Sequence, residues 1–245
     1  SYWTRFRGSD GLGVDWQGQA PVAWEETDFL WNITLPGVGN ASPVVWGRSI
    51  FVSSADHETE NGYLLAIDAP KGEILWQKEF PIGELAMHRD NKLAAQSPAV
   101  DKSQVYVIWY SKDKTTLFAL SHKGQIQWQS EFEGIISRHG GGSSLSLTED
   151  LVVFTREQED FSALKSSWVA VDKKNGNTVW EVEMESPENN SFATPLLVNA
   201  DQANERLIFA SQSHGLTGVD PETGSVLWEL KDVFATRVVG AAFYS

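Results

Sequence analysis

Five polar segments hold the side chains best suited to chemistry in this sequence. They are Gly37 to Asn40, His88-Arg89-Asp90-Asn91 with Gln96, Arg138-His139 followed by three glycines, Asn189-Asn190-Ser191 with Thr194, and Thr236-Arg237. A guanidinium offers planar, charge-assisted donors, and an imidazole adds a donor or acceptor beside it. If His88, Arg89, Arg138, His139 and Arg237 converge, they can hold an anion or a carboxylate. The competing reading is plainer: polar loops ahead of buried strands satisfy backbone groups and ordered water. The plainer reading is preferred here, because convergence is the single argument for a ligand.

Several other chemistries fall away. His139 beside Gly140-Gly141-Gly142 is no phosphate loop, since no Lys follows and the next segment reads as a strand rather than a helix. The chain has no Cys, which removes thiolate nucleophiles, disulfides and Cys-based zinc sites. Asp56-His57-Glu58 and Glu157 to Asp160 are acidic tips that could take a metal, but they read as solvated hairpin ends. No Ser/His/Asp set stands in a motif context. The 33 Asp and Glu residues offer too many pairs to single out one of glycosidase type. No catalytic residue and no metal ligand is therefore assigned.

Composition narrows the partners. The net charge of −14 disfavours nucleic acid and anionic lipid, and the 19 Lys and Arg form no run. No apolar stretch reaches the ~18–20 residues of a membrane span.

The elements that must position these loops come from a repeat. Leu65-Ala-Ile-Asp68 leads through Gly72 to Trp76, and Phe118-Ala-Leu-Ser121 through Gly124 to Trp128. Val169-Ala-Val-Asp172 leads through Gly176 to Trp180, and Thr217-Gly-Val-Asp220 through Gly224 to Trp228, so the tryptophans step by 52, 52 and 48 residues. Each unit reads as a strand, a turn whose Gly takes positive φ, and a second strand ending in Trp. Asp68, Asp172 and Asp220 suit the role of accepting turn amides. Two further strand candidates precede each hairpin, beginning at Ser42-Pro43, Ser97-Pro98, Ser143-Ser144 and Thr194-Pro195. Four short strands per unit in a meander make a β-propeller blade. The expected fold is all-β: about four complete four-stranded antiparallel blades plus partial ones. Trp76, Trp128, Trp180 and Trp228 are expected to dock between blades, because burying one indole stabilises by roughly 2–3 kcal/mol.

One propeller domain is expected over 1–245. Segment 1–41 includes a closing strand at Phe29 to Leu35, the blades occupy 42–80, 97–132, 143–184 and 193–232, and 237–245 opens a further blade. An open ring leaves unpaired edges, so two copies are expected to associate edge to edge. A clean monomer in sedimentation at high concentration would count against that.

A strand ending Ala-x-Asp, a Gly turn and a strand ending in Trp resemble the repeat of pyrroloquinoline-quinone (PQQ) dehydrogenases. The lipoprotein of the outer-membrane β-barrel assembly machinery shares that repeat. Trp3-Thr-Arg-Phe-Arg-Gly8, Leu30-Trp31 and Gly37-Val-Gly-Asn-Ala-Ser-Pro43 are similar to the opening of large exported PQQ-like repeat proteins of environmental bacteria. The resemblance implies a parent ring of seven or eight blades, of which this chain would be a fragment, and a periplasmic or otherwise exported location. In the dehydrogenases of this superfamily PQQ and calcium sit in the central funnel, beside a catalytic Asp and commonly a Cys pair. No segment here matches those ligands. The expected function is a non-catalytic scaffold whose face or funnel binds a protein or small ligand. The alternative is a PQQ/calcium-dependent oxidoreductase, or a piece of one. A polysaccharide hydrolase or lyase has no specific support. The funnel-rim candidates are Asn40, His88, Arg89, Asn91, Gln96, Arg138, His139, Thr194 and Arg237.

Overall fold

The computed structural model describes residues 2–16, 18, 21–159, 164–188, 190–199 and 205–242. The all-β expectation holds: among the described residues the helical content is one 3-10 turn, Glu26–Asp28. The strands make four antiparallel sheets in chain order. Blade 1 contains β1 (Tyr2–Trp3), β2 (Val44–Trp46), β3 (Ser49–Asp56), β4 (Asn61–Asp68) and β5 (Ile74–Pro81). Blade 2 contains β6 (Ala99–Val100), β7 (Gln104–Tyr110), β8 (Lys114–Ser121) and β9 (Ile126–Glu133). Blade 3 contains β10 (Ser146–Leu147), β11 (Leu151–Arg156), β12 (Ser166–Asp172) and β13 (Thr178–Met184). Blade 4 contains β14 (Leu196–Asn199), β15 (Glu205–Ser211), β16 (Gly215–Val219) and β17 (Val226–Leu230).

The repeated residues have a shared geometric cause. Trp76, Trp128, Trp180 and Trp228 lie directly across from Ala66, Ala119, Ala170 and Gly218, with a bulge beside each pair. A small residue opposite the indole leaves room for the ring, and the bulge turns it outward. Each of the first three rings then meets the turn glycine of the following hairpin. A Cβ on Gly124 would stand 2.8 Å from the Trp76 ring, one on Gly176 2.5 Å from Trp128, and one on Gly224 2.8 Å from Trp180. The three indole N–H groups donate to turn carbonyls of His122, Lys173 and Pro221 at 2.8, 2.8 and 2.9 Å. Glycine is thus required twice at these turns, for positive φ and for the close approach. Asp68, Asp172 and Asp220 accept turn amides through Oδ1.

The segment Phe29 to Leu35 extends this pattern without forming a ladder. Trp31 donates to Ala69 O at 2.7 Å and covers Gly72. None of the described strands pairs with this segment, which is expected to close a blade whose other strands come from further along the parent ring. Residues 237–242 likewise form no strand, and the rest of that expected blade lies outside the described residues. At the other end, Trp228 is 42% exposed, and Val226, Leu227 and Leu230 are exposed beside it, since no later hairpin among the described residues covers β17.

The N-terminal segment occupies the axis. β1 pairs with β2, and Thr4 O accepts from Val100 N of blade 2 at 2.8 Å. Arg5 is buried and donates to Ser146 Oγ of blade 3 at 3.1 Å, and Gly11 abuts Leu196 of blade 4. The segment that begins with the Trp3-to-Gly8 motif therefore runs across the inner strands of all four blades.

Candidate functional site

Inner strands are also joined by hydroxyls. Ser42 N donates to Ser97 Oγ, Ser97 N to Ser144 Oγ, and Ser144 N to Thr194 Oγ1, at 2.9, 2.9 and 3.0 Å. Each hydroxyl caps an amide that would otherwise be buried without an acceptor. Thr194 thus sits in this relay and not on a cavity. The Ser/Thr beginning each inner strand was readable in the sequence, but the cross-blade bond was not.

These tied strands hold their entry loops at one end of the axis, where a cavity of about 430 Å³ opens. His88, Asn91, His139 and Arg237 line it, together with Asp90, Ala95, Gly142, Phe192 and Val239. Four of the nine rim residues expected from sequence are brought together here, from the second, third and fifth entry loops, while the fourth supplies Phe192. The His88 and His139 rings lie 5.6 Å apart, centroid to centroid. Asn91 Nδ2 donates to His139 O at 2.7 Å and Gly141 O at 3.1 Å, which clamps the glycine loop. Arg237 donates from Nε to Asn190 O at 3.2 Å and lies over the Phe192 ring, 5.7 Å from its centroid. Phe192 forms an apolar wall that sequence reading missed; its one available signal was an aromatic within a polar loop.

The other candidates lie elsewhere. Asn40 reaches Asp90 O at 3.4 Å from outside the cavity. Arg89 is solvent-exposed and paired with Asp90 at 3.6 Å. Gln96 is buried beneath the glycine loop, and its Oε1 has no partner among the described residues. Arg138 joins Glu159 through Nε at 2.9 Å. Asn189 is outside the described residues. All three glycines serve packing: a Cβ on Gly140 would meet Met87 at 2.9 Å, one on Gly141 Tyr110 at 2.7 Å, and one on Gly142 Phe192 at 2.6 Å.

The acidic tip at Glu157 is not solvated, which corrects the sequence expectation. Glu157, Gln158 and Glu159 are buried; Asp160 is outside the described residues. The segment 134–138 folds over them. Gln158 Nε2 donates to Gly134 O at 2.8 Å and Gln158 Oε1 accepts from Ile136 N at 2.6 Å. Glu157 accepts from Ser191 N and faces a cavity of about 10 Å³, near the size of one water, beneath the glycine loop. The Asp56 tip is a simple Asx turn, with Glu58 N donating to Asp56 Oδ1 at 2.8 Å.

Among the described residues Arg237 is the one guanidinium that lines the rim cavity. Desolvation and the nearby Arg237 charge push the His139 pKa down, with His88 and Arg138 adding to this and Glu159 opposing it. His139 therefore presents a neutral imidazole near pH 7. Calcium takes about six to eight oxygen ligands, whereas among the described residues Asp90 is the lone lining carboxylate and is engaged by His88 and Arg89. Among the described residues no three His, Cys, Asp or Glu side chains cluster for a metal. These residues do not fit a calcium–quinone pair.

Residues 60–238 match the sequence model of the family described as outer membrane protein assembly factor BamB. The chain belongs to the BamB family. No curated protein matches it in sequence. Solved structures similar to this BamB-family chain include a europium-containing methanol dehydrogenase, at 13% identity and TM-score 0.57 over 77% of this chain and 41% of that one. The quinohemoprotein alcohol dehydrogenase ADHIIG from Pseudomonas putida is 17% identical, with TM-score 0.57 over 80% of this chain and 35% of that one. The quinohemoprotein alcohol dehydrogenase from Comamonas testosteroni is 15% identical, with TM-score 0.53 over 80% and 35%. At these identities the likeness concerns the fold, a partial propeller. The BamB-family chain spans well under half the length of these three structures.

Proposed function

We propose that this chain is a non-catalytic, exported propeller scaffold whose rim cavity binds an anionic small ligand or an acidic group of a protein partner. The carrying observation is the convergence of Arg237, His139, His88 and Asn91 against Phe192 in one cavity. A guanidinium already pinned by a backbone carbonyl loses little entropy on meeting a carboxylate, and the aromatic wall suits an apolar body attached to it. The family description, an outer membrane protein assembly factor, supports partner binding and a location beyond the cytoplasm.

The expected result is that benzoate perturbs the His88 and His139 ring resonances saturably, while benzamide binds at least tenfold more weakly. Arg237→Gln should lower benzoate affinity by about tenfold or more, as expected for a charge-assisted bond worth roughly 1.5–3 kcal/mol. If neither ligand perturbs the rings, the small-ligand reading is lost. PQQ with Ca²⁺ serves as the opposing arm: stoichiometric binding with dye reduction by alcohols would replace the scaffold by an oxidoreductase.

A further inference from the structure

At the opposite end of the inner strands from the rim, beside the Trp46 end of β2, the N-terminal segment frames a second groove of about 690 Å³. Its aromatic walls are Tyr2, Trp3 and Trp16, and its polar edge is Asp10 and Asp15. Tyr2 is 60% exposed and Trp16 76% exposed. Exposed rings of this size are usually mobile or covered, but these are held in place. Trp16 Nε1 donates to Asp10 Oδ2 at 3.4 Å, and Tyr2 packs edge-on against Trp46 at 4.7 Å. The Trp3 ring lies over Gly8, where a Cβ would come within 3.0 Å.

The negative charge at the groove comes from Asp10, because Arg5 and Arg7 of the same segment are turned to the backbone carbonyls of Ser9 and Leu12. Asp10 accepts two hydrogen bonds, from Leu12 N and the Trp16 indole, and both donors are neutral, so its negative charge stands. Among the described residues no Lys or Arg lines the groove. The chain carries a net charge of −14, which adds an attractive field for cations and repels anions. Aromatic faces present negative π-density to a cation and apolar surface to its alkyl groups. A neutral apolar ligand would draw nothing from the carboxylates, and an anion would be repelled by them. From the held, exposed rings and their carboxylate edge we infer that this groove binds an organic ammonium group, an alkylated nitrogen cation seated on Trp16. The inference does not depend on the rim cavity.

Calorimetry on the whole chain tests it. Tetramethylammonium should bind saturably and weaken as salt rises, while neopentyl alcohol, a water-soluble neutral analogue of similar bulk, should give no saturable heat. Trp16→Ala should lower the tetramethylammonium affinity by between about two- and thirtyfold, the span for losing one cation–π contact. The exposed ring should leave the melting temperature little changed; if Trp16→Ala does destabilise the chain, Trp16→Leu, which keeps apolar bulk without the π face, is read instead. Phosphocholine and a peptide bearing Nε-trimethyllysine separate a lipid headgroup from a protein side chain, and binding of either supports the site. Absence of binding by every ammonium ligand overturns the inference. So does equal binding of neopentyl alcohol, or unchanged affinity in the Trp16 variants.

Discussion

Trp180→Ala is expected to lower the free energy of unfolding by about 3–5 kcal/mol, whereas Trp228→Ala should cost less than about 1 kcal/mol. The two residues occupy the same position in successive repeats, so the contrast isolates what the next blade adds. Trp180 is 7% exposed, lies over Gly224, and donates its indole N–H to Pro221 O. Its removal leaves a cavity between blades 3 and 4 and strands a carbonyl. Trp228 sits over Gly218 of its own sheet and is much more open to solvent. Equilibrium urea unfolding of both variants checks this. An equally large loss at Trp228 would mean that its face is covered in solution.

Replacing Glu157 by Gln should make the protein more stable at pH 8 than the wild type by on the order of 4 kcal/mol, and by less than about 1 kcal/mol at pH 5. Burial pushes the Glu157 pKa up from its ordinary 4.5 to about 8, against the lowering effect of hydrogen bonds from Ser191 and Ser211. A native carboxyl with a raised pKa keeps its proton where the unfolded chain has lost it. Its stabilising contribution is full below about pH 4.5 and disappears as pH rises through about 8. The substituted amide would keep an acceptor for Ser191 N and carries no charge to desolvate. His214 acts in the opposite sense. Burial pushes its pKa down from 6.5 to about 4, so the neutral ring is tolerated above pH 6.5 and stability is lost as pH falls toward 4. The readout is therefore the difference between variant and wild-type stability curves, from which the His214 contribution cancels. A difference that does not grow from pH 5 to 8 would show that Glu157 is ionised in the folded protein.

Both results depend on features of different visibility. The hairpin was legible because its chemistry is local. Asp68, Gly72 and Trp76 sit within one turn and two strands, and their types answer to φ, amide capping and ring size, which recur identically at Asp172, Gly176 and Trp180. The small residue opposite each Trp follows from the same local register. Burial of Glu157 was not legible, because Glu157-Gln158-Glu159 looks like any charged hairpin tip until the 134–138 segment is laid across it. Thr194 and Gln96 looked like rim residues for a similar reason: polar side chains at strand entries face either the cavity or the neighbouring strand, and the sequence marks both alike.

Among the chemistry-bearing residues, sequence spacing brought His88, His139 and Arg237 to equivalent loops of the repeats, which is why their common rim could be anticipated. Their actual convergence on Phe192, and the exclusion of Arg89 and Arg138, depended on side-chain partners: Asp90 for one and Glu159 for the other. By itself the sequence determined the all-β class, the four repeats, the turn glycines and the tryptophan positions, since each is dictated by backbone geometry over a few residues. Only the tertiary structure decided which polar residues meet, which carboxylates are buried, and that the N-terminal segment crosses the axis. Those outcomes rest on contacts between segments far apart in the chain, as with Arg5 and Ser146, whose meeting depends on how the blades are arranged about the axis.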